Sequence, residues 1–382
     1  MASRDVLADL LVDLLADIEE LVRCESPSAD LAAVARSAEV VARVGERRLG
    51  VVPERVVLDG RTHLRWRLGA EPSRVLLLGH HDTVWPLGSL ATHPCTVANG
   101  VLRGPGCFDM KAGLVLAMHA AAGRTGVTLL VTGDEELGSP SSRELVEDEA
   151  RAAEAVLVLE ASAPGGALKT ERKGVSLYEV AATGLAAHAG LEPERGVNAT
   201  VELAHQVLAV TALADPARGT TVTPTLFAAG TATNTVSATG SFAVDVRVRD
   251  AAEQERVDVA MRGLRPNLPG ARVRVTGGPN RPPLEPAASA ALFALAGSLA
   301  RDLGLPPPTG VAVGGGSDGN LTAGVGTPTL DGLGAVGGGA HADDEHVLVA
   351  ALPDRLALVS ALLDALLAAP TNRTPASGAR RP

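Results

Sequence analysis

The sequence predicts an α/β fold in which a parallel or mixed sheet, covered on both faces, is interrupted by a small α+β unit. Three observations carry this reading. Short apolar runs of strand length alternate with helical stretches up to Glu160, the pattern of a sheet flanked by helices. From Val175 to Thr276 the rhythm changes to β-α-β-β-α-β, a ferredoxin-like order able to fold by itself. A length of 382 residues with 46 % apolar content amounts to two or three cores of about 150 residues each, and is far from the low hydropathy of disorder.

The elements follow in order. Residues 5–23 place Leu7, Leu10, Leu11, Leu14, Leu15, Ile18, Leu21 and Val22 at helical spacing with aspartates on the remaining face, an amphipathic helix. It ends before Ser26-Pro27, because the residue ahead of a proline is pushed out of the helical region. Val75–Gly79, Val127–Thr132 and Val156–Leu159 read as buried strands, with helices over Met110–Ala122 and about 142–154 between them. In the inserted unit, strands are expected at 175–183, 222–229, 241–249 and 271–276, with helices at 197–212 and 251–264. Proline-rich Pro279–Pro286 leads back to a helix over 287–303, and a helix over 352–367 closes the fold. The resulting organisation is 1–173 and 283–369 as one interrupted α/β domain, 174–282 as the insertion, and 370–382 as a disordered tail rich in Pro, Thr, Ser and Arg.

Charge and composition exclude several classes. A net charge of −10 and only four Phe, two Trp and one Tyr oppose nucleic-acid binding, which needs cationic surface and rings for stacking. No apolar run approaches the ~18 residues of a membrane span, and aspartates interrupt the leucines where a signal peptide would be uniformly apolar. Cys24, Cys95 and Cys107 are odd in number and form no C-x-x-C pair, so neither a disulfide framework nor a thiolate zinc site is indicated. A reducing cytoplasm is the expected compartment.

Five places carry chemistry. Gly79-His80-His81-Asp82-Thr83-Val84 follows a strand, so His80 and Asp82 share a face and His81 points the other way. A carboxylate beside an imidazole fixes the tautomer of a metal ligand, although a structural histidine has the same pattern. Gly104-Pro105-Gly106-Cys107-Phe108-Asp109-Met110-Lys111 delivers Asp109 to a helix start, either as a ligand or as a simple N-cap. Asp134-Glu135-Glu136 and Glu160 follow buried strands, where open α/β sheets hold their ligands. His341 ends a glycine loop with no evident packing role. Together His80, Asp109, Glu136, Glu160 and His341 form an oxygen and imidazole set suited to zinc or a similar divalent ion. Five ligands exceed the three of one catalytic zinc. Two ions about 3.5–4 Å apart, sharing one carboxylate, account for the surplus and leave Glu135 as a general base.

The ordered series of these motifs resembles the zinc aminoacylase and glutamate carboxypeptidase family, with acetylornithine deacetylase and succinyl-diaminopimelate desuccinylase, and lies closest to the glutamate carboxypeptidase branch. The resemblance implies that His80 and Glu160 bind one zinc and Glu136 and His341 the other. Asp109 bridges them, Asp82 orients His80, and Glu135 is base and proton shuttle. It implies two divalent ions, zinc or alternatively cobalt or manganese, and an insertion serving as lid and dimerisation domain of a homodimer. His188, in Ala187-His188-Ala189-Gly190, would stabilise the tetrahedral intermediate. Asn234 and Arg247 would hold the substrate carboxylate, and Gly315, in Gly314-Gly315-Gly316-Ser317-Asp318, would line the pocket. Arg247 also falls on the polar face of an alternating strand, where an ion pair with Asp245 is the competing use. The family's aromatic residue before the last histidine is Ala340 here, and Ala187 stands where serine is frequent.

The implied reaction is hydrolysis of an amide whose amine side bears a free carboxylate, on a short peptide or N-acyl amino acid. A deacylase of N-acyl amino acids is the alternative, and a non-catalytic metal-binding homologue a remote one. Gly332-Leu333-Gly334-Ala335-Val336-Gly337 matches a dinucleotide-binding fingerprint in letters, but a glycine loop follows it where that fold requires a helix.

Overall fold

The computed structural model describes residues 4–69 and 73–370; the expected disordered tail lies, from residue 371 on, outside them. The described residues divide into two compact units, one drawn from 4–169, 288–311 and 325–370, the other comprising 170–287 and 312–324. The first unit is built on a six-stranded mixed sheet in the order Glu54–Leu58, Arg61–Leu68, Val127–Thr132, Val75–His80, Ala155–Val158 and Thr329–Leu330. The first three strands run antiparallel to their neighbours, and from Val127–Thr132 onward the pairing is parallel. Val75–His80 is central and buried at every position, as expected of a strand covered on both faces. His80 pairs with Thr132, so the two strands end level.

Helices Arg4–Val22, Leu31–Leu49, Ala112–Ala121 and Leu352–Ala368 pack on this sheet and on one another around a continuous aliphatic core. The strands and the opening, Ala112–Ala121, Arg143–Ala152 and closing helices fall within a few residues of their sequence expectation. Helix Leu31–Leu49 and strands Glu54–Leu58 and Arg61–Leu68 are additions to the sequence expectation. A small sheet of Gly337–Gly338, His346–Leu348, Val101–Arg103 and Thr96–Ala98 is another. The helix expected from Met110 starts at Ala112, because Asp109 and Met110 have non-helical dihedrals within the tight turn Cys107–Lys111. Gly113, at its start, lies so close to the next loop that an added Cβ would sit 2.0 Å from the Leu159 carbonyl oxygen.

The second unit is a four-stranded antiparallel sheet in the order Thr221–Ala229, Thr239–Val248, Gly174–Thr183 and Arg272–Arg281. Tyr178, Val180, Ala182, Phe242, Val244, Val246 and Val248 alternate onto one face and form a core with Leu203, Val257 and Met261 of helices Ala199–Thr211 and Ala251–Arg262. The last strand runs to Arg281, beyond the expected 276, since Pro279 and Arg281 still pair with Ser176 and Val175. A proline is tolerated there because the strand is at an edge of the sheet. Among the described residues no helix is long and apolar enough to cross a membrane.

Three helices of the first unit are pinned by one carboxylate. Asp17 is 1 % exposed and accepts from Arg47 at 2.8 Å, Arg48 at 2.5 Å and His119 at 2.8 Å. Burial alone would raise its pKa, but the bonds from His119, Arg48 and Arg47 outweigh that and hold it well below the ordinary value. A depressed carboxylate stabilises the fold above its unfolded pKa of about 3.9, and that contribution is lost as the pH falls toward the folded value. Asp17→Asn is therefore expected to cost about 1.5–3 kcal/mol at pH 7. In urea unfolding, the gap from wild type should narrow as the pH falls below about 4; a gap constant down to pH 3 would contradict it.

Candidate metal centre

The parallel strands bring the acidic and imidazole side chains to one end of the sheet. His80 closes the central strand, the turn after Val127–Thr132 carries Asp134, Glu135 and Glu136, and Glu160 lies just past Ala155–Val158. Asp109 comes from the turn before helix Ala112–Ala121, and His341 from the loop after Gly337–Gly338. The N-cap alternative for Asp109 does not hold. Lys111 occupies that helix's cap position, while the Asp109 carboxylate lies 3.4 Å from His80 Nε2 and 3.3 Å from His341 Nε2.

These side chains form two groups sharing one member. His80, Asp109 and Glu160 each offer an atom within 4.8 Å of the others, and so do Asp109, Glu136 and His341. His80 Nε2 is 3.5 Å from Glu160 Oε1, and His341 Nε2 is 3.2 Å from Glu136 Oε1. Ligands about 2.0–2.2 Å from a tetrahedral ion lie about 3.3–3.6 Å from each other, so both triads are close to the required span. A second observation agrees. Among the described residues, His80 Nε2 and Asp109 Oδ1 are buried without a hydrogen-bond partner, an arrangement that is costly unless something else engages them.

Protonation answers the crowding of carboxylates. Burial opposes charge on His80, but Asp109, Asp82 and Glu160 outweigh it and push its pKa well above the ordinary value. His341 is raised to about 10, chiefly by Asp109 and Glu136. Asp109 is held low against the burial that would raise it, mainly by His341 and His80, whereas burial dominates at Glu136 and raises it.

Surrounding groups hold this arrangement. His80 Nδ1 donates to the Asp82 main-chain oxygen at 2.9 Å, with the Asp82 carboxylate at 3.5 Å; Nε2 is thereby the nitrogen left to ligate. The Asp82 carboxylate also accepts the main-chain N–H groups of Glu135 and Glu136, each at 3.2 Å. Asp82 thus ties the His80 strand to the acidic turn, a role not visible from His-x-Asp spacing. His81 points away, to Ser37 Oγ and the Thr62 carbonyl, and burial lowers its pKa to about 4. Asp134 is fully buried and accepts from the main chain and hydroxyls of Ser141 and Ser142. It fixes the turn instead of joining a triad, and the two serines following in the sequence were the available signal.

The remaining candidates lie in the second unit. His188 is exposed and its Nδ1 accepts from Gly190 N at 3.2 Å, so its proton resides on Nε2. Asn234 accepts through its main chain from Ala189 N, and the Gly315 carbonyl accepts from Arg172 Nη1 at 3.0 Å. Arg247 forks onto Asp245 with two 2.8 Å bonds, the use that competes with substrate binding.

Comparison with known proteins places this geometry. The model of peptidase family M20/M25/M40 matches residues 76–365. Carboxypeptidase G2 of Pseudomonas sp. (strain RS-16) is 32 % identical over 297 residues, covering 72 % of this chain and 69 % of that protein. An M20 family metallo-carboxypeptidase of Sulfolobus solfataricus superposes with a TM-score of 0.70 at 16 % identity, over 92 % of this chain and 99 % of the other. A Bacillus subtilis structure described as a dinuclear metal binding peptidase of the M20 family gives 0.62 at 15 %, over 94 % and 98 %. At such identities the two structures speak for the fold. The family match takes in His80, Asp109, Glu136, Glu160 and His341 alike, and with the relative's identity over most of both chains it shows that the chain belongs to peptidase family M20/M25/M40, as a metallohydrolase.

Proposed function

We propose that this protein hydrolyses an amide or peptide bond to release an amino acid with a free carboxylate, as a carboxypeptidase of glutamate type working with two zinc ions. The observation that carries the proposal is the pair of triads joined at Asp109, with Glu135 next to Glu136 and outside both. His80 and Glu160 are assigned to one ion, Glu136 and His341 to the other, and Asp109 to both. When bound, the ions acidify water and polarise the scissile carbonyl. Glu135, largely buried at 9 % exposure, accepts the proton of the attacking water and passes it to the leaving amine nitrogen. Asp82 keeps the His80 ring oriented through Nδ1 and the acidic turn fixed through two main-chain bonds.

In the second unit, His188 is assigned to the oxyanion of the tetrahedral intermediate, supported by its available Nε2–H. Asn234, Arg247 and Gly315 are assigned to the substrate, with its carboxylate exchanging for Asp245 in the Arg247 fork. The name of the 32 % relative, a carboxypeptidase, supports this reading over the deacylase one. The same proposal has residues 174–282 acting as lid and as the contact of a homodimer. Exposed Leu226 and Phe227 on the edge strand Thr221–Ala229 support that contact. Three free cysteines fit a reducing cytoplasm.

Three measurements test the proposal. Glu135→Ala should lower kcat by roughly 10²–10⁴ while metal analysis still finds two ions per chain; retained turnover removes Glu135 from its role. Both ligand imidazoles are held protonated in the ion-free protein, His341 up to about 10, and must be neutral to ligate. Zinc binding at pH 7 should therefore release about two protons, and affinity should rise with pH by up to about tenfold per unit for each proton displaced. Calorimetry in buffers of differing ionisation enthalpy reads this directly, and binding without proton release would show that both imidazoles are already neutral before the ions bind. In a screen of peptides and N-acyl amino acids, substrates ending in glutamate or aspartate should give the highest kcat/KM. Cleavage confined to N-acyl neutral amino acids would transfer the assignment to the deacylase reading.

A further inference from the structure

We infer that Glu345 is a positioning residue that holds the loops of Asp109 and His341 at the separation the shared triad needs. This rests on the dinuclear reading above. Glu345 is 3 % exposed and accepts four N–H groups: Trp85 Nε1 at 2.6 Å and Gly106 N at 2.9 Å on Oε2, Phe108 N at 2.9 Å and Asp109 N at 3.0 Å on Oε1. Among the described residues no arginine or lysine forms an ion pair with it. A carboxylate left in the interior with main-chain and indole donors alone is satisfied only while those donors stay converged. The turn that presents Asp109 is therefore shaped around Glu345, and one of its donors is the peptide N–H of Asp109 itself.

The same residue closes the His341 loop. Ala342 N donates to Gly339 O and Glu345 N to Ala342 O, both at 2.9 Å, and both Gly339 and His341 have positive φ. A side chain on Gly339 would meet Asp344 at 2.7 Å, so the loop is compact and has little freedom between His341 and Glu345. Directly after Glu345, His346–Leu348 pairs with Val101–Arg103, which leads into the Asp109 turn. Two of the three members of the Asp109, Glu136 and His341 triad are thus joined through one residue, whose carboxylate anchors the Asp109 turn and whose main chain closes the His341 loop. The other triad shares only Asp109 with this region, since His80 and Glu160 come from the central sheet.

The consequence is selective. Glu345→Gln keeps the shape but turns one acceptor oxygen into an amide that faces N–H donors. Groups that support metal ligands typically contribute about 10–100-fold in affinity, and the loss should fall on the Glu136 and His341 ion. Zinc titration against a chelator should find two ions in wild type. In the variant, one should bind within a few-fold of wild type and the other 10–100-fold more weakly. The kcat lost at limiting zinc should return with excess zinc, and the ion-free protein should melt within a few degrees of wild type. Two ions bound as in wild type would overturn the inference; so would equal loss of both with a collapsed ion-free melting temperature, which marks a purely structural role. Should Glu345→Gln fail to fold, Trp85→Phe decides: removing one donor must weaken the same ion, and unchanged affinity there overturns the inference too. If wild type itself binds fewer than two ions, the dinuclear reading fails, a result separable from any behaviour of the variants.

Discussion

Like charge forced together in a poorly hydrated place is the constraint on which this structure depends. Asp82, Asp109, Glu135, Glu136 and Glu160 converge at one end of the central sheet, all of them buried except the partly exposed Asp109 and Glu136. Carboxylates a few ångströms apart in such surroundings repel strongly unless opposite charge or hydrogen bonds intervene. The fold supplies both. Asp82 is satisfied by two peptide N–H groups and the His80 ring, and the neighbouring carboxylates raise the pKa of both His80 and His341. In the proposed enzyme the divalent ions would supply that opposite charge.

The accuracy of this assembly comes from backbone register more than from side-chain packing. The central strands end level because their parallel ladder pairs Gly79 with Val131 and His80 with Thr132. A one-residue slip would turn His80 to the face where His81 now meets Ser37 and Thr62. Asp109 cannot be placed in this way, because it lies on no strand of that sheet. Its turn is held by acceptance of its N–H groups at Glu345 and by the close seat of Gly113 on the Leu159 carbonyl. Loops that carry functional groups on a rigid sheet need such local fastening.

Legibility in the sequence followed from the same division. Strands such as Val127–Thr132 announce themselves as unbroken apolar runs, and acids or a histidine at their ends can be read as neighbours once the sheet is inferred. Helix Leu31–Leu49 is faint in the sequence because its buried stripe is small: Ala33, Val34, Ser37, Ala38, Val41, Ala42 and Gly45 contrast weakly with the arginines and glutamates between them. Its Asp30 cap and Gly50 stop were the stronger signals. Strand Arg61–Leu68 alternates charge with bulk and lacks the apolar continuity of its neighbours. Glu345 could not be found by pattern, because its partners are main-chain groups about 240 residues away, and main-chain donors leave no trace in residue type.

Charge is where sequence and structure are most easily misjoined. A net charge of −10 suggests a surface that repels anions, whereas the proposed substrate bears a carboxylate. The long-range field of an exposed charge is largely screened beyond about 8–10 Å at physiological salt, so the distant acids have little influence on a ligand at the centre. What matters there is the local sum. Three ligand carboxylates with two imidazolium groups leave a net negative charge, and an anionic substrate would be opposed. Exchange of the two protons for two divalent ions shifts that sum by two positive charges, part of which Asp82 and Glu135 offset. In the proposed enzyme, therefore, loading the centre and easing the approach of a carboxylate substrate are one electrostatic event.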